Sequence, residues 1–256
     1  MIECDGAPFD QGRKQGAALR FEVERALRCV RARYGWLEGA LALRRARRGP
    51  GLALARYLPQ QHERLQGIAC GADVSLASLK LCQAAQRVSG VGACKGVELE
   101  GTLDIPSELH AALTLRHSVP DAGGVASIEL TAAPWAGCLA GVNAAGLALV
   151  CLEDRGRRDP PLRALAQDLL FRAHALKPGI EHLRRRAAYS GGSGALLLID
   201  AQGDGFRAEL RSGQLSLDEV PSPGALALEP TLRIDAAART LIWRDPAGRE
   251  HEGRID

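Results

Sequence analysis

The residue with the clearest capacity for covalent chemistry is Cys94, in the segment VGACKGVELE (91–100). It follows a long helical stretch and stands at the head of the first strand-like run. A thiolate is a strong nucleophile, and the end of a strand can present it to a substrate. A cysteine at this place would equally serve as a small apolar side chain packed inside a sheet. The segment therefore leaves two alternatives, a nucleophile and a structural thiol.

Strand alternation predicts the surroundings of Cys94. If residues 93–100 form one strand, Cys94 shares a face with Gly96, Glu98 and Glu100. We therefore expect an accessible thiol on the polar face of the strand. Two nearby carboxylates would raise the pKa of this thiol and reduce its thiolate fraction.

The remaining cysteines do not suggest a metal site or a disulfide scaffold. The chain has seven cysteines, an odd number, with no Cys-x-x-Cys pair and no histidine at metal-ligand spacing. No charged, apolar and small-residue signal segment opens the chain, and no apolar run is long enough to span a bilayer. These features predict a cytoplasmic protein with mostly buried, reduced cysteines, and with neither metal nor cofactor.

Length and composition indicate one soluble domain. With 256 residues, of which 46% are hydrophobic and 25% charged, the chain can bury a single sizeable core. The net charge of +3 is too small to indicate a nucleic-acid partner or an anionic membrane surface. Oligomeric state is left open by these features.

The N-terminal third is predicted to be helical. A helix is expected over residues 8–37, with Pro8 in its first turn and apolar side chains recurring every three or four residues. Gly12 and Gly16 lie one turn apart on it, which allows the backbone of another helix to approach. A second helical stretch is interrupted at Pro59, and Ser75 is the expected N-cap of a third.

The pattern changes to short strands after residue 90. Asn143 and Gly146 bound a tight connection between two of these strands, and Gly146 is free to take a positive φ. Two helices are expected near residues 160–188. The expected strands are AALTLRH (111–117), VASIELT (125–131), CLAGV (138–142), LALVCLE (147–153), ALLLID (195–200), FRAEL (206–210) and TLIWRD (240–245).

This order of elements predicts an α+β fold with antiparallel sheets and flanking helices. We expect a single domain over residues 1–256, divided into a helical N-terminal segment (1–90) and a sheet-rich core (91–256) that contains the two helices near 160–188.

Five segments together resemble the acyl-coenzyme A:isopenicillin N acyltransferase-like family of N-terminal-nucleophile (Ntn) cysteine hydrolases, of which this chain would be a shortened and divergent form. They occur in the family's order. The segments are GAPFDQGRKQG (6–16), ERLQGIACGADVSLASL (63–79), CLAGVNAAGLALV (138–150), PLRALAQDLLFRA (161–173) and ALLLIDAQGDGFRAEL (195–210).

The resemblance implies a four-layer αββα Ntn-hydrolase-like sandwich with a helical N-terminal segment. It also implies that Cys94 is the nucleophile, exposed by self-cleavage of the Ala93–Cys94 bond. The new α-amino group, with a reference pKa of about 7.7–8.0, would then act as the general base. By the same resemblance Asn143 would stabilise the oxyanion and Asp104 would orient the cysteine.

The activity implied is that of a cysteine-dependent amide hydrolase or acyltransferase, with a small acylated amine or peptide-like amide as substrate. An alternative is a non-catalytic relative that acts as a binding or accessory protein. Ala93 and Lys95 flank Cys94 where the family has Gly and Thr or Ser, and the family's Arg-Asn near Asp104 is absent. These departures favour the alternative. A third reading is an uncleaved cysteine enzyme with a histidine base.

For the other two candidates a structural interpretation also stands. Asn143 suits a turn that needs a left-handed residue. Asp104 precedes Ile105 and Pro106, which is typical of a solvated loop acid.

Overall fold

A computed structural model describes residues 1–33, 52–85, 89–121, 123–153, 161–187, 193–211, 213–219 and 231–255. Within these ranges the chain forms a layer of helices packed on one face of a large sheet, with a smaller sheet on the opposite face. The predicted α+β class is confirmed.

The helices of the described residues fall mostly in the N-terminal third, as predicted. They are α1 (Pro8–Ala18), α2 (Arg20–Arg33), α3 (Leu52–Tyr57), α4 (Pro59–Ala72), α5 (Leu76–Ala85), α6 (Ser107–His110), α7 (Leu162–Arg172) and α8 (Leu176–Ala187).

The strands form two sheets. They are β1 (Ile2–Gly6), β2 (Ser89–Lys95), β3 (Glu98–Asp104), β4 (Leu113–Pro120), β5 (Ser127–Ala132), β6 (Ala140–Asn143), β7 (Ala148–Glu153), β8 (Gly194–Ile199), β9 (Gly205–Arg211), β10 (Gln214–Glu219), β11 (Leu232–Asp235), β12 (Thr240–Arg244) and β13 (Glu250–Arg254). The larger sheet has the order β1-β4-β5-β6-β7-β8-β9-β10, and the smaller has the order β13-β12-β11-β3-β2. Only the β1–β4 pair is parallel among the described strand pairs.

The predicted helix over 8–37 is two helices in the structure. Leu19 leaves the helical conformation, with φ −117° and ψ 31°, so that α1 ends at Ala18 and α2 starts at Arg20. Residues 34–37 lie outside the described residues. The interruption at Pro59 is confirmed, since α3 ends at Tyr57 and α4 begins at Pro59. The Ser75 cap is also confirmed: its hydroxyl accepts a hydrogen bond from the Ser78 backbone N–H at 3.2 Å.

Glycines allow α1 and α4 to pack with their backbones in contact. A Cβ atom at Gly12 would stand 2.0 Å from the Arg64 carbonyl oxygen, and one at Gly67 would stand 2.0 Å from the Phe9 carbonyl oxygen. Gly16 and Gly71 repeat this arrangement one turn along each helix. The predicted close approach at Gly12 and Gly16 is therefore confirmed, and α4 supplies the matching pair of glycines.

The smaller sheet packs on the larger one through its inner face alone. A Cβ at Gly92 would meet Leu197, and a Cβ at Gly253 would meet Ile128, both on the larger sheet. The outer face is polar and partly exposed, and carries an ion pair in which Arg233 Nε lies 3.6 Å from Glu100 Oε1.

The number of layers differs from the four that were expected, and the polar outer face explains the difference. In the described ranges the layers run helix, sheet, sheet, and we find no second helical layer packed on the smaller sheet. Charged and hydroxyl side chains occupy most of the outward positions of the strands, and burying them under a helix would cost free energy. The predicted αββα sandwich is therefore an αββ sandwich over the residues that the structure describes.

The last hairpin, β12–β13, is closed by one carboxylate. Asp245 Oδ1 accepts the backbone N–H groups of Ala247 and Arg249, both at 2.9 Å, and its Oδ2 accepts from Arg249 Nε at 2.8 Å and from His251 Nε2 at 3.2 Å. The backbone donor of Arg249, with smaller contributions from the two side chains, lowers the pKa of Asp245 to about 2.

We expect Asp245→Asn to remove an acid-sensitive part of the stability. Because the folded pKa lies below the ordinary value of about 3.9, this stabilisation is complete above that value and is lost as the pH falls through about 2. Thermal unfolding between pH 6 and pH 2 should show a smaller acid-induced fall in Tm for Asp245→Asn than for the wild type. Asp218→Asn, on exposed β10, is the control and should follow the wild-type profile. Parallel curves for the wild type and Asp245→Asn would contradict the assignment.

No helix of the described residues is long and apolar enough to cross a membrane.

Candidate functional site

Cys94 lies in a hairpin and not in a single extended strand. Strand β2 ends at Lys95 and β3 starts at Glu98, with Gly96 at φ +60° in the two-residue turn between them. Cys94 faces Leu99 across the pair. The predicted strand over 93–100 is therefore wrong, because the chain reverses within it.

The reversal changes which side of the sheet Cys94 occupies. Cys94 shares a face with Gly92 two residues earlier, and that face packs against Leu197 of the larger sheet. Only 6% of the Cys94 surface is exposed, and its partner Leu99 is fully buried. The expected accessible thiol on a polar face is corrected to a thiol enclosed between the two sheets.

The electrostatic surroundings of Cys94 do not activate it. Burial raises the pKa of the thiol to about 11, and no described charged group lowers it. The pKa is raised as the sequence predicted, but the cause is desolvation and not the two glutamates, which lie on the outward face of β3. A general base acting on this thiol is not evident among the described residues, histidines included.

Asp104 lies at the far end of the same hairpin. It is the exposed last residue of β3, faces Ser89 in the register, and accepts a hydrogen bond from the Ser89 hydroxyl at 3.3 Å. Because Cys94 faces Leu99, Asp104 stands five positions beyond the cysteine's partner, about 17 Å along the strand. The structure does not bring Asp104 to Cys94.

Asn143 holds the β6–β7 turn against the end of α7. Its side-chain amide donates to the carbonyl oxygens of Leu170 at 2.9 Å and Ala173 at 2.8 Å. Its Oδ1 accepts the backbone N–H groups of Ala145 at 3.1 Å and Leu147 at 3.0 Å. Both donors and both acceptor positions of this buried amide are therefore used within the fold. The tight turn itself is confirmed.

Cys94 and Asn143 lie on opposite sides of the larger sheet. Asn143 points towards α7 in the helical layer, whereas Cys94 lies between the two sheets. An oxyanion donor must stand within about 3 Å of the reacting oxygen. The structure thus places the three sequence-predicted site residues in three separate environments.

The helix-facing side of the larger sheet carries a buried ionic cluster instead. Glu129 on β5 pairs with Arg116 on β4, whose Nε donates at 2.8 Å and whose Nη2 also contacts the carboxylate. Arg64 on α4 approaches the same carboxylate, with Nη1 3.7 Å from Oε2. All three side chains are at most 2% exposed.

Neutral side chains complete this cluster. Gln15 on α1 accepts from Arg116 Nη1 at 2.6 Å and donates to the Ala133 and Trp135 carbonyl oxygens. Glu129 Oε1 accepts from the Ser127 hydroxyl at 2.5 Å and from Gln167 Nε2 at 3.1 Å. The cluster therefore ties α1, α4 and α7 to strands β4 and β5.

The neighbouring guanidiniums determine the protonation state of Glu129. Burial by itself would raise its pKa, but the Arg116 and Arg64 guanidiniums and the Ser127 donor lower the pKa of this carboxyl by more, so that the net shift is downward. Glu129 is therefore ionised at neutral pH.

Sequence reasoning missed this cluster, although a signal was present. Glu129 stands inside a strand-like run that is otherwise apolar or hydroxyl-bearing, and Arg116 stands in a similar run that also contains His117. A charged residue in a strand that is buried on both faces needs a buried partner. The pattern could have marked each residue as paired, but not with which partner.

A metal centre is not supported: the described residues contain no group of three or more His, Cys, Asp or Glu side chains arranged to hold an ion.

Comparison with known proteins gives distant structural likenesses only. No family model and no curated protein matches this chain. The fold is similar to the structure of penicillin V acylase from Agrobacterium tumefaciens. The TM-score is 0.39 and the sequence identity 11%, over 66% of this chain and 80% of that one. A likeness at this level assigns neither an activity nor site residues to the present chain.

Proposed function

We propose that this chain is a non-catalytic relative of the Ntn cysteine hydrolases, acting as a binding or accessory protein. The observation that carries the proposal is the setting of Cys94, enclosed between two sheets with a pKa of about 11. Such a pKa leaves about one thiol in a thousand ionised at pH 8. Nucleophilic catalysis at this residue would lack both a thiolate and access for a substrate.

The hairpin supports the same conclusion about self-cleavage. Strand β2 pairs with β3 on both sides of the Ala93–Cys94 bond, since Ala93 faces Glu100 and Cys94 faces Leu99. Cleavage there would divide an ordered strand of the smaller sheet. An attacking thiol would also have to leave its position between the sheets. The proposed protein therefore keeps the bond intact.

The second candidate is the cysteine-dependent amide hydrolase or acyltransferase. One observation favours it: the side chain of Cys94 points into the space between the two sheets, on the inner face of the smaller sheet. Catalysis by this route would require the β2–β3 hairpin to open and a donor other than Asn143 to stabilise the oxyanion. Its substrate would be a small acylated amine or peptide-like amide.

Thiol reactivity separates the two candidates. For the non-catalytic protein we expect a single intact chain by mass spectrometry and no acylation of Cys94 by a thiol-directed acylating probe. Iodoacetamide should label Cys94 in the native state at least about 100-fold more slowly than the exposed Cys70. Unfolding in denaturant should make both residues reactive.

Two single substitutions show which cysteine is labelled by iodoacetamide. With labelling scored by peptide mapping, so that the partly exposed Cys29 is measured separately, Cys70→Ala should remove the fast labelling at position 70, and Cys94→Ala should leave it unchanged. Two fragments separated before Cys94, or stoichiometric acylation of Cys94 in the folded protein, would overturn the proposal in favour of the enzyme.

We also propose a cytoplasmic location, which the free thiols of the described cysteines support.

A further inference from the structure

The buried cluster between the helical layer and the larger sheet has an excess of positive charge. It contains two guanidiniums, Arg64 and Arg116, and one carboxylate, Glu129, so its formal charge is two minus one, or +1. The two buried cysteines next to it, Cys4 and Cys138, are neutral thiols, because burial raises the pKa of each. Buried charges in folded proteins are normally compensated.

Arg64 is the less closely paired of the two guanidiniums that share Glu129. Arg116 holds Glu129 through two of its nitrogens, whereas Arg64 Nη1 is 3.7 Å from the same carboxylate, beyond hydrogen-bond distance. Burial and the neighbouring Arg116 lower the pKa of Arg64 to about 10. Arg64 is still protonated at neutral pH, and only 2% of its side-chain surface is exposed.

Two donors at this place are unused. Arg64 Nη2 contacts Gln11 Oε1 on α1, which fixes the orientation of the Gln11 amide and turns its Nε2 away from Arg64 Nη2. Among the described residues neither Gln11 Nε2 nor Arg64 Nη1 has a hydrogen-bond acceptor. Gln11 is fully buried, in the first turn of α1, where the helix dipole is positive.

We propose that Gln11 and Arg64 bind a small monovalent anion, with chloride as the natural occupant. A single anion would accept from the Gln11 amide and the Arg64 guanidinium and would bring the charge of the cluster to zero. A water molecule would accept hydrogen bonds from these donors but would leave the positive charge of the cluster uncompensated. Nearly complete burial of both side chains restricts the site to an ion of one or a few atoms.

Unfolding in defined anions tests the site. Thermal unfolding of the wild type is measured in sodium chloride and in sodium gluconate, mixed at constant ionic strength. Above the dissociation constant, each tenfold increase in chloride is expected to raise the Tm by roughly 3–5 °C. Crystals soaked in sodium bromide should show an anomalous difference peak in contact with Gln11 Nε2 and Arg64 Nη1.

A charge-supplying variant makes the test specific. Gln11→Glu places a carboxylate of the same shape beside Arg64 and so replaces the anion. We expect this variant to lose the chloride dependence and to unfold in gluconate at the Tm that the wild type reaches in chloride. Arg28→Met, on the exposed face of α2, is the control and should keep the wild-type dependence.

Three results would overturn the proposal. One is a wild-type Tm that is the same in chloride and gluconate. Another is a Gln11→Glu variant that retains the full chloride dependence, which would place the responsive site elsewhere. The third is an ordered water between Gln11 and Arg64, with no bromide peak there, which would assign the two donors to solvent.

Discussion

Replacing Gly67 by alanine is expected to destabilise the protein by about 2 kcal/mol. The new methyl group would stand 2.0 Å from the Phe9 carbonyl oxygen, and both atoms belong to helix backbones that cannot rotate away. Overpacking of this kind costs up to about 3 kcal/mol, and the gain in helix propensity returns about 1 kcal/mol. Chemical unfolding should give the loss as a lower midpoint.

A second helical glycine provides the control for this substitution. A Cβ at Gly179 on α8 would have its nearest neighbour, the Ala173 Cβ, at 3.4 Å, which is an ordinary contact. Gly179→Ala should therefore leave the stability unchanged or raise it slightly. Equal effects of the two substitutions would mean that backbone contact between α1 and α4 does not limit stability.

The Gly67→Ala effect should extend to the ionic cluster. Gln11 and Gln15 reach it from α1, and Arg64 reaches it from α4. The distance between these two helices therefore determines whether their side chains meet Glu129 and Arg116. Separation of the helices by an inserted methyl group would weaken polar contacts as well as packing.

Glu129→Gln is expected to have the largest effect, a loss of about 4 kcal/mol. The amide keeps the shape of the side chain but removes the carboxylate that pairs with both buried guanidiniums. Removing one partner of a buried ion pair costs about 3–5 kcal/mol, because the remaining charge stays desolvated. The free energy of unfolding in urea at pH 7 measures this loss directly.

The pH dependence of the same variant has a defined sign. Since the folded pKa of Glu129 lies below the ordinary value, ionised Glu129 stabilises the protein above that ordinary value, and this contribution is lost as the pH falls through the folded pKa. The difference in stability between wild type and Glu129→Gln should therefore shrink in acid. A difference that stays constant down to the acid unfolding transition would contradict the ionised assignment.

A surface pair supplies the control for the charge change. Glu24 pairs with Arg20 on α2 at 3.3 Å, and both side chains are at least 40% exposed. Exposed pairs of this type contribute about 0.3–0.5 kcal/mol. Glu24→Gln should change the stability by no more than this.

The sequence predicted helix starts, caps and turns well, because each of these depends on a few neighbouring residues. The start of α1 at Pro8, the Ser75 cap and the strands around the Asn143 turn follow from proline geometry, side-chain capping and alternation. Gly12 and Gly16 indicated a close helix contact, because two small residues one turn apart have few other uses in a helix. Each of these features depends on residues within a few positions of one another.

The setting of Cys94 could not be read in the same way. An extended strand over 93–100 and a hairpin turning at Gly96 are both compatible with the amino-acid sequence. They put the Cys94 thiol on opposite faces of the strand, the polar face and the apolar face. The smaller sheet also needs strands that are distant in the chain, since β3 (Glu98–Asp104) pairs with β11 (Leu232–Asp235). Which face becomes the inner one is fixed by that pairing.

The sequence by itself determined the α+β class and most of the helices and central strands. The tertiary structure alone decided that Cys94 is enclosed, that Asn143 faces the helical layer, and that Arg64, Arg116 and Glu129 meet. The physical reason is the separation along the chain between the residues that determine each feature. Helix starts and turns depend on neighbouring residues, whereas burial and charge pairing depend on contacts between segments that are distant in the chain, and these are established only when the sheets and helices pack together.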